Sequence, residues 1–303
     1  MKAVVTGGAG FIGSHTCEYL LNKGIEVTAL DNLSKGKAGY VPKGAVLKDA
    51  DIRDGKRILE IFDEEKPELL IHLAAQVKVT ASVEDPVNDA EINIIGAINL
   101  LEAGRRNGLK KVVFASSAAI YGDAAYFPID ERHTTDAISG YGVSKQTVER
   151  YLYVYKRLYG IDYAALRYAN VYGPRQDSSG EGGVVAIFAE HYAKRAVPTI
   201  YGDGEQTRDY VYVKDVARAN YMAGLSKVSG KFNVCTNKKT SLNQLISAFN
   251  EAYGVDVTPV YAPARKGDIL ENYMSYNKIK EEIGWEPEYS LKQGLKEILE
   301  YGG

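Results

Sequence analysis

The chain has 303 residues, 45% of them apolar and 25% charged, with a formal net charge of -2 at pH 7. This is ordinary globular composition, long enough for about two domains of ~150 residues each. Lysines and arginines are spread rather than clustered, which speaks against a nucleic-acid face, and apolar runs such as "LLIHLAA" (69 to 75) fall short of the ~18 residues that span a membrane.

In chain order, "KAVVT" (2 to 6) reads as a strand, and the glycines after it open a helix at "FIGSHTCEYLLNKG". "EVTAL" (26 to 30), "AVLKDA" (45 to 50), "LLIHL" (69 to 73) and "KVVFA" (111 to 115) follow as strands, separated by helices near 54 to 65 and 87 to 107. "YGVSKQTVERYLYVYKRLYG" (141 to 160) is a long helix and "YAALR" (163 to 167) a further strand. Nearly uniform apolar strands alternating with helices predict an α/β fold, a doubly wound parallel sheet buried on both faces. Past residue 168 loops rich in Gly, Pro, Asp and Ser take over, with helices at "SLNQLISAFNEAYG" and "LKQGLKEILEYG". This predicts a smaller α+β unit against the sheet edge and a ligand cleft between the two. The expected division is 1–167 plus about 211–234 for the first domain, and 168–210 with 235–303 for the second.

The N-terminal "MKAVVTGG" lacks the apolar stretch of a signal peptide. Cys17 and Cys235, the only cysteines, sit in apolar segments and read as buried small hydrophobes, consistent with a reducing cytoplasm. His15, His72, His133 and His191 share no ligand spacing, so no metal site is expected.

"VVTGGAGFIG" closes the first strand and opens the first helix. Gly8, Gly10 and Gly13 fit G-x-G-x-x-G, and Gly7, Gly10 and Gly13 fit G-x-x-G-x-x-G. Glycines there permit a tight turn and let a pyrophosphate approach backbone amides at a helix N-terminus. Asp31 ends the second strand, where it can accept both ribose hydroxyls of an adenosine and repel a 2'-phosphate. Strand, helix and acid together point to a Rossmann-type domain that binds NAD rather than NADP. Asp51 and Ile52 could hold the adenine, although Asp51 or Asp54 could equally cap the next helix.

Tyr141 and Lys145, four apart on a helix, are neighbours. An ammonium about 4 Å from a phenol, at an effective dielectric near 20, supplies about 4 kcal/mol, enough to lower the phenol pKa by roughly three units. The pair makes sense as a general base at neutral pH. Taken alone, Y-x-x-x-K also fits a solvated helix face; "FASSAAIYG" (114 to 122), with Ser116 and Ser117 at the end of the fifth strand, supplies the context.

With "TGGAGFIGSH", "DNLS", "DIRD", "HLAAQ", "NIIG", "SSAAIYGD", "YGVSK", "RYANVYGPRQ", "GDGEQTRDYVYVKDVA" and "RKGD", the sequence resembles the extended short-chain dehydrogenase/reductase proteins, and within them the UDP-glucose 4-epimerases, over essentially the whole chain. The resemblance implies Tyr141 as acid/base, Lys145 as the residue that holds the nicotinamide ribose and tunes the phenol, and Ser117 as the partner of the sugar hydroxyl being oxidised. It places Gly7, Gly10, Phe11, Ile12, Gly13, Asp31, Asn32, Ser34, Gly36, Asp51 and Ile52 around the dinucleotide. Leu73, Ala74, Ala75, Gln76, Asn93, Ser116 and Tyr168 would line or support the cofactor. Asn170, Val184, Thr199, Tyr201, Arg208, Arg265, Asp268 and Asn272 fall where family members hold the nucleotide sugar; on the residues alone, Arg208 and Arg265 could instead pair with Asp209 and Asp268 on the surface.

The implied reaction takes UDP-glucose to UDP-galactose through a 4-keto sugar, with NAD regenerated each cycle. Family dehydratases carry an acidic pair after their serine or threonine, and here Ala118 and Ala119 stand in those positions, which favours epimerisation. A UDP-glucuronate 4-epimerase is the alternative; an NAD(H) sensor is more remote, since both Tyr141 and Lys145 are present. Asn272 replaces the tyrosine of some hexose-restricted epimerases and could admit an N-acetyl group. A second departure is Val77, with Lys78 following, where some members place a lysine directly after the glutamine. A homodimer pairing the helices at 87 to 107 and 141 to 160 is implied, together with a UDP-sugar as the small-molecule partner.

Overall fold

In a computed structural model that describes residues 1–179, 183–264 and 270–302, the apolar runs become parallel strands joined by helices. The chain runs β1 (Lys2–Thr6), α1 (Phe11–Asn22), β2 (Glu26–Asp31), β3 (Val46–Asp49), α2 (Gly55–Glu65) and β4 (Leu69–His72). It continues through α3 (Val79–Glu84), α4 (Pro86–Ala90), α5 (Gly96–Arg106), β5 (Lys111–Ser117), α6 (Gly140–Tyr159) and β6 (Asp162–Tyr168). Then come β7 (Asn170–Tyr172), α7 (Val184–Ala193), β8 (Thr199–Tyr201), β9 (Thr207–Arg208), β10 (Tyr210–Tyr212), α8 (Val213–Leu225) and β11 (Gly230–Val234). Seven of these strands form one sheet in the order β11-β6-β5-β4-β1-β2-β3, every pair parallel. This is the Rossmann order extended by one strand, as expected. The chain reverses direction of travel between β1 and β4, and the crevice beyond their carboxyl ends is where such sheets take a ligand.

Alternation along each strand fixes the two faces. Ala3 and Val5 pack with Cys17 and Leu20 of α1 and with Val216 and Ala219 of α8. Val4 points the other way, to Ile58 and Phe62 of α2, Leu100 of α5 and Val148 of α6. Cys17 and Cys235 are free and fully buried.

The helix expected at 87–107 is broken and starts earlier. Pro86 lacks an N–H and stands at the first position of α4, while the Asp85 side chain accepts from the Asn88 amide, so α3 ends and a new helix begins there. A π turn over Glu91–Ile95 then widens the coil before α5 and leaves Asn93 buried. Such π turns tend to mark functional segments.

The remaining elements, β12 (Thr240–Ser241), α9 (Leu242–Tyr253), β13 (Val260–Ala262), α10 (Asn277–Ile283) and α11 (Leu291–Gly302), complete the smaller α+β part. Its strands pair two by two, β10 with β7, β12 with β9 and β13 with β8. Phe188 and Tyr192 of α7, Leu245 and Phe249 of α9 and Leu295 of α11 form its core. α8 lies beside α1, where Asn220 Nδ2 donates to Thr16 Oγ1 at 3.1 Å. Among the described residues no helix is long and apolar enough to cross a membrane, and no cluster of His, Cys, Asp or Glu could hold a metal ion.

Candidate active site

The turn after β1 closes on itself and on β4. Gly7 has φ +68°, its amide donates to Leu30 O at 2.8 Å, and a Cβ on it would meet Ala74 N at 2.9 Å. A Cβ on Gly13 would lie 1.9 Å from Gly7 O, so only glycine lets α1 start this close to the strand. No side chain caps α1 at Gly10, which leaves its N-terminal amides facing the crevice for an anion. Asp31 is buried at the end of β2: Oδ2 accepts from Ala9 N at 3.0 Å and Oδ1 from Leu33 N at 2.8 Å. A carboxylate has about four acceptor positions, so two remain for hydroxyls. Gly36 lies against it, since a Cβ there would come 2.7 Å from Asp31 Oδ1.

Asn32 joins this end to Asp51, Nδ2 donating to Oδ2 at 3.0 Å, and its own Oδ1 accepts from the Ser34 amide and hydroxyl. Asp51 is clamped by Arg53, whose guanidinium donates to both carboxylate oxygens at 3.0 and 2.8 Å and holds its carboxyl well below the usual range. The helix cap falls to Asp54, which accepts from Arg57 N at 3.0 Å. Phe11 and Ile12 pack instead on the core of the smaller part.

The loop after β4 is held from below. Thr6 Oγ1 bonds His72 Nδ1 at 2.8 Å and accepts from the amides of Leu73 and Ala74. Burial keeps the His72 imidazole neutral, its pKa lowered to about 3. Asn93 then ties the loop to α6: Oδ1 accepts from Gln76 N at 2.9 Å, and Nδ2 donates to Gln76 O, Asp89 Oδ1 and Ser144 Oγ. The Gln76 side chain turns away into Asp89 at 2.9 Å.

Ser117 ends β5 and Tyr141 begins α6. Ser139 caps α6 by accepting from Gly142 N at 3.1 Å. A Cβ on Gly142 would lie 2.6 Å from Ala119 O and one on Gly140 2.7 Å from Ser82 O, so Gly142 lets α6 press onto the turn after Ser117 and Gly140 lets it approach α3. The Ser117 side chain favours ionisation of the Tyr141 phenol, while its Oγ accepts from Ala119 N at 3.1 Å. Ser116 faces the other side of the strand, where its hydroxyl donates to Glu149 at 2.7 Å. There Glu149 and Arg167, both 1% exposed, form a two-pronged ion pair at 2.9 and 2.8 Å. The Tyr168 hydroxyl is likewise occupied, donating to Asn220 Oδ1 at 2.6 Å.

Lys145 is 3% exposed, with Nζ 4.9 Å from the Phe114 ring centre and 5.6 Å from that of Tyr141. Burial pulls its pKa down to about 8, against the opposing pull of Asp89. The Tyr141 phenol is pushed up by burial, opposed by the Ser117 side chain and reinforced by Asp89. Burial thus works against the phenolate that a protonated Lys145 favours.

On the facing side a cavity of about 180 Å³ gathers Asn170, Val184 and Arg208, together with Gln176 and Tyr210. The structure does not bring Thr199 and Tyr201 into that cavity; they lie on β8, paired with β13. The Asn272 amide donates to Thr207 O at 3.2 Å beside the same elements. Arg265 and Asp268 lie outside the described residues. Asp209 does not fit the surface ion pair considered for Arg208, being buried and accepting from Thr236, Asn237 and Met274. Thr6, His72, Gln176 and Tyr210 lie inside the quoted motifs but carried no role in the sequence reading; Asp89 lies in none of them, its one signal being the i, i+4 spacing to Asn93 ahead of "IIG".

The chain is similar in sequence and fold to known proteins. The profile of the NAD dependent epimerase/dehydratase family matches residues 3–235. The solved structure of UDP-glucose 4-epimerase from Thermotoga maritima with UDP-glucose is 46% identical, with a TM-score of 0.95, covering 99% of this chain and 98% of that one. That of the Thermus thermophilus UDP-glucose 4-epimerase complex with NAD is 43% identical, with a TM-score of 0.92 over 100% and 99% of the two chains. A UDP-N-acetylglucosamine 4-epimerase from Methanobrevibacter ruminantium, solved with UDP-N-acetylmuramic acid, is 34% identical at a TM-score of 0.94, over 99% and 97%.

Proposed function

The chain belongs to the NAD dependent epimerase/dehydratase family, and we propose that it interconverts UDP-glucose and UDP-galactose by inverting carbon 4 of the hexose through a 4-keto sugar. The observation that carries this reading is the buried Lys145 with its Nζ 5.6 Å from the Tyr141 ring centre, with Ser117 at the end of β5 followed only by Ala118 and Ala119. The side-chain-free turn at Gly7, Gly10 and Gly13 and the acceptor positions left on Asp31 fit NAD, which when bound supplies a reversible hydride acceptor and a positive charge.

Tyr141 as phenolate takes the proton of the carbon-4 hydroxyl and returns it once the ring presents its other face. Ser117, which favours the ionised phenol, holds that hydroxyl in line. A further positive charge in the site favours the phenolate, and a protonated Lys145 adds to that effect. No carboxylate follows Ser117, so the keto sugar has no group to drive water loss. The hexose must turn over, so affinity has to come from the uridine diphosphate. We assign that part to Asn170, Val184 and Arg208 around the cavity and, on the strength of the sequence alone, to Thr199, Tyr201, Arg265 and Asp268. Residues 1–167 with 211–234 are assigned to NAD, 168–210 with 235–303 to the nucleotide sugar.

Activity on UDP-N-acetylglucosamine is a second reading, supported by the small Asn272 and by the likeness to the Methanobrevibacter enzyme. A homodimer is supported by Val143, Tyr151, Val154 and Leu158, an exposed stripe along one face of α6. Two buried free cysteines are consistent with a cytoplasmic setting. The deciding experiment incubates the purified protein, without added NAD, with UDP-glucose, UDP-N-acetylglucosamine and UDP-glucuronate. UDP-galactose as a product, lost in Tyr141→Phe with UDP binding retained, is the expected result; no epimer from UDP-glucose overturns the reading. If Asn272→Tyr leaves the ratio of the first two rates unchanged, the reading on N-acetyl sugars falls.

A further inference from the structure

We propose that Asp209 is a positioning residue for the nucleotide sugar, a buried carboxylate that fastens the run of chain presenting Arg208 and Tyr210 to the cavity beside Asn170. The proposal rests on the reading of that cavity as the uridine-diphosphate site. Asp209 is the single residue between β9 and β10, where the chain changes partner: β9 lies antiparallel to β12 and β10 parallel to β7. Side chains alternate along extended backbone. Arg208 and Tyr210 line the cavity with Asn170 and Gln176, whereas the Asp209 side chain, 1% exposed, turns to the segments after β11 and before α10.

There it collects four donors. Oδ1 accepts from the Thr236 amide at 2.8 Å and from the Thr236 hydroxyl at 2.7 Å. Oδ2 accepts from the Asn237 amide at 3.0 Å and from the Met274 amide at 3.5 Å. An ionised carboxylate has about four acceptor positions, so protein groups alone fill this one. Asn237 has φ +57°, and the carboxylate closes a turn in which two successive amides point at one anion. The backbone of Asp209 serves the cavity side: its carbonyl accepts from Asn170 N at 3.0 Å and from Asn170 Nδ2 at 3.2 Å. That side-chain amide has two protons, so one is left for an anionic oxygen in the cavity. The Tyr210 hydroxyl and Gln176 Oε1, both on residues of the cavity wall, are buried with no hydrogen-bond partner among the described residues, which fits a polar ligand there. Asp209 thus holds Asn170, Arg208 and Tyr210 in one register and, through Met274, ties them to the segment that carries Asn272.

Asp209→Asn keeps the size of the side chain and replaces one acceptor oxygen by a group that cannot accept from backbone amides. In the NAD-loaded enzyme, the KM for UDP-glucose and the Kd for UDP by titration calorimetry should both rise at least about tenfold, as expected when binding groups shift by a fraction of an ångström. None of the groups bonded to Asp209 lies on β5 or α6, so kcat should stay within about threefold and bound NAD should be undiminished. Thr236→Val removes only the hydroxyl bond and serves if Asp209→Asn does not fold; it should raise both constants by roughly threefold. A folded variant with wild-type KM and Kd overturns the proposal, and so does one whose only changes are a lower melting temperature, lost NAD or less active enzyme. If wild-type protein binds no UDP, the reading of the cavity fails and takes the proposal with it. If wild type binds UDP and the variants bind it equally well, that reading stands and Asp209 alone falls.

Discussion

Replacing Lys145 with methionine keeps the buried stem and removes the charge. The ammonium is 5.6 Å from the centre of the Tyr141 ring. A unit charge at that distance and an effective dielectric of about 20 interacts by ~3 kcal/mol, or roughly 2 pKa units on the phenol. At neutral pH the phenolate fraction, and with it kcat, should drop about 100-fold, recovering about tenfold per pH unit as the medium becomes more basic. The wild-type advantage fades as Lys145 itself deprotonates, and burial holds it at about 8, so the two profiles should converge on the alkaline side. The assay is the initial rate of UDP-galactose formation from UDP-glucose at saturating substrate, with bound NAD quantified in each preparation. A deficit of the same factor at every pH would refute the electrostatic role and leave Lys145 a merely structural or cofactor-holding residue. An unchanged rate at neutral pH would remove it from the mechanism altogether.

Gly13→Ala places a methyl 1.9 Å from Gly7 O, so the turn must open and NAD should no longer co-purify; a full complement of bound NAD, read by absorbance after denaturation, would contradict this. Arg167→Met strands Glu149, which is 1% exposed, and should cost about 3–5 kcal/mol in chemical denaturation. A loss under about 1 kcal/mol would mean that Ser116 and Lys231 suffice for that carboxylate. Val154→Glu puts a charge in the middle of the exposed α6 stripe and, in sedimentation, should shift the proposed dimer to monomers; an unchanged distribution would exclude that face.

The parts of the molecule legible in the sequence are those whose cause is short-range. Apolar runs separated by helical periodicity name a parallel sheet, because only strands covered on both faces can be apolar on both. Gly7, Gly10, Gly13 and Asp31 declare themselves because backbone geometry at one turn demands them. Pro86 ends a helix in a way its own ring dictates, yet the π turn after it carries no residue signature and hid the break in what read as one helix. Gln76 and Ser116 show the opposite limit: the motifs containing them are conspicuous, but their side chains are taken by Asp89 and Glu149, partners 13 and 33 residues away. Tyr141 and Lys145 were readable as a pair, but the opposing effect of burial, which pushes one pKa up and the other down, was not. The spacing in "YGVSK" therefore supplies the contact, while the desolvated floor of the site sets the chemistry the contact can perform.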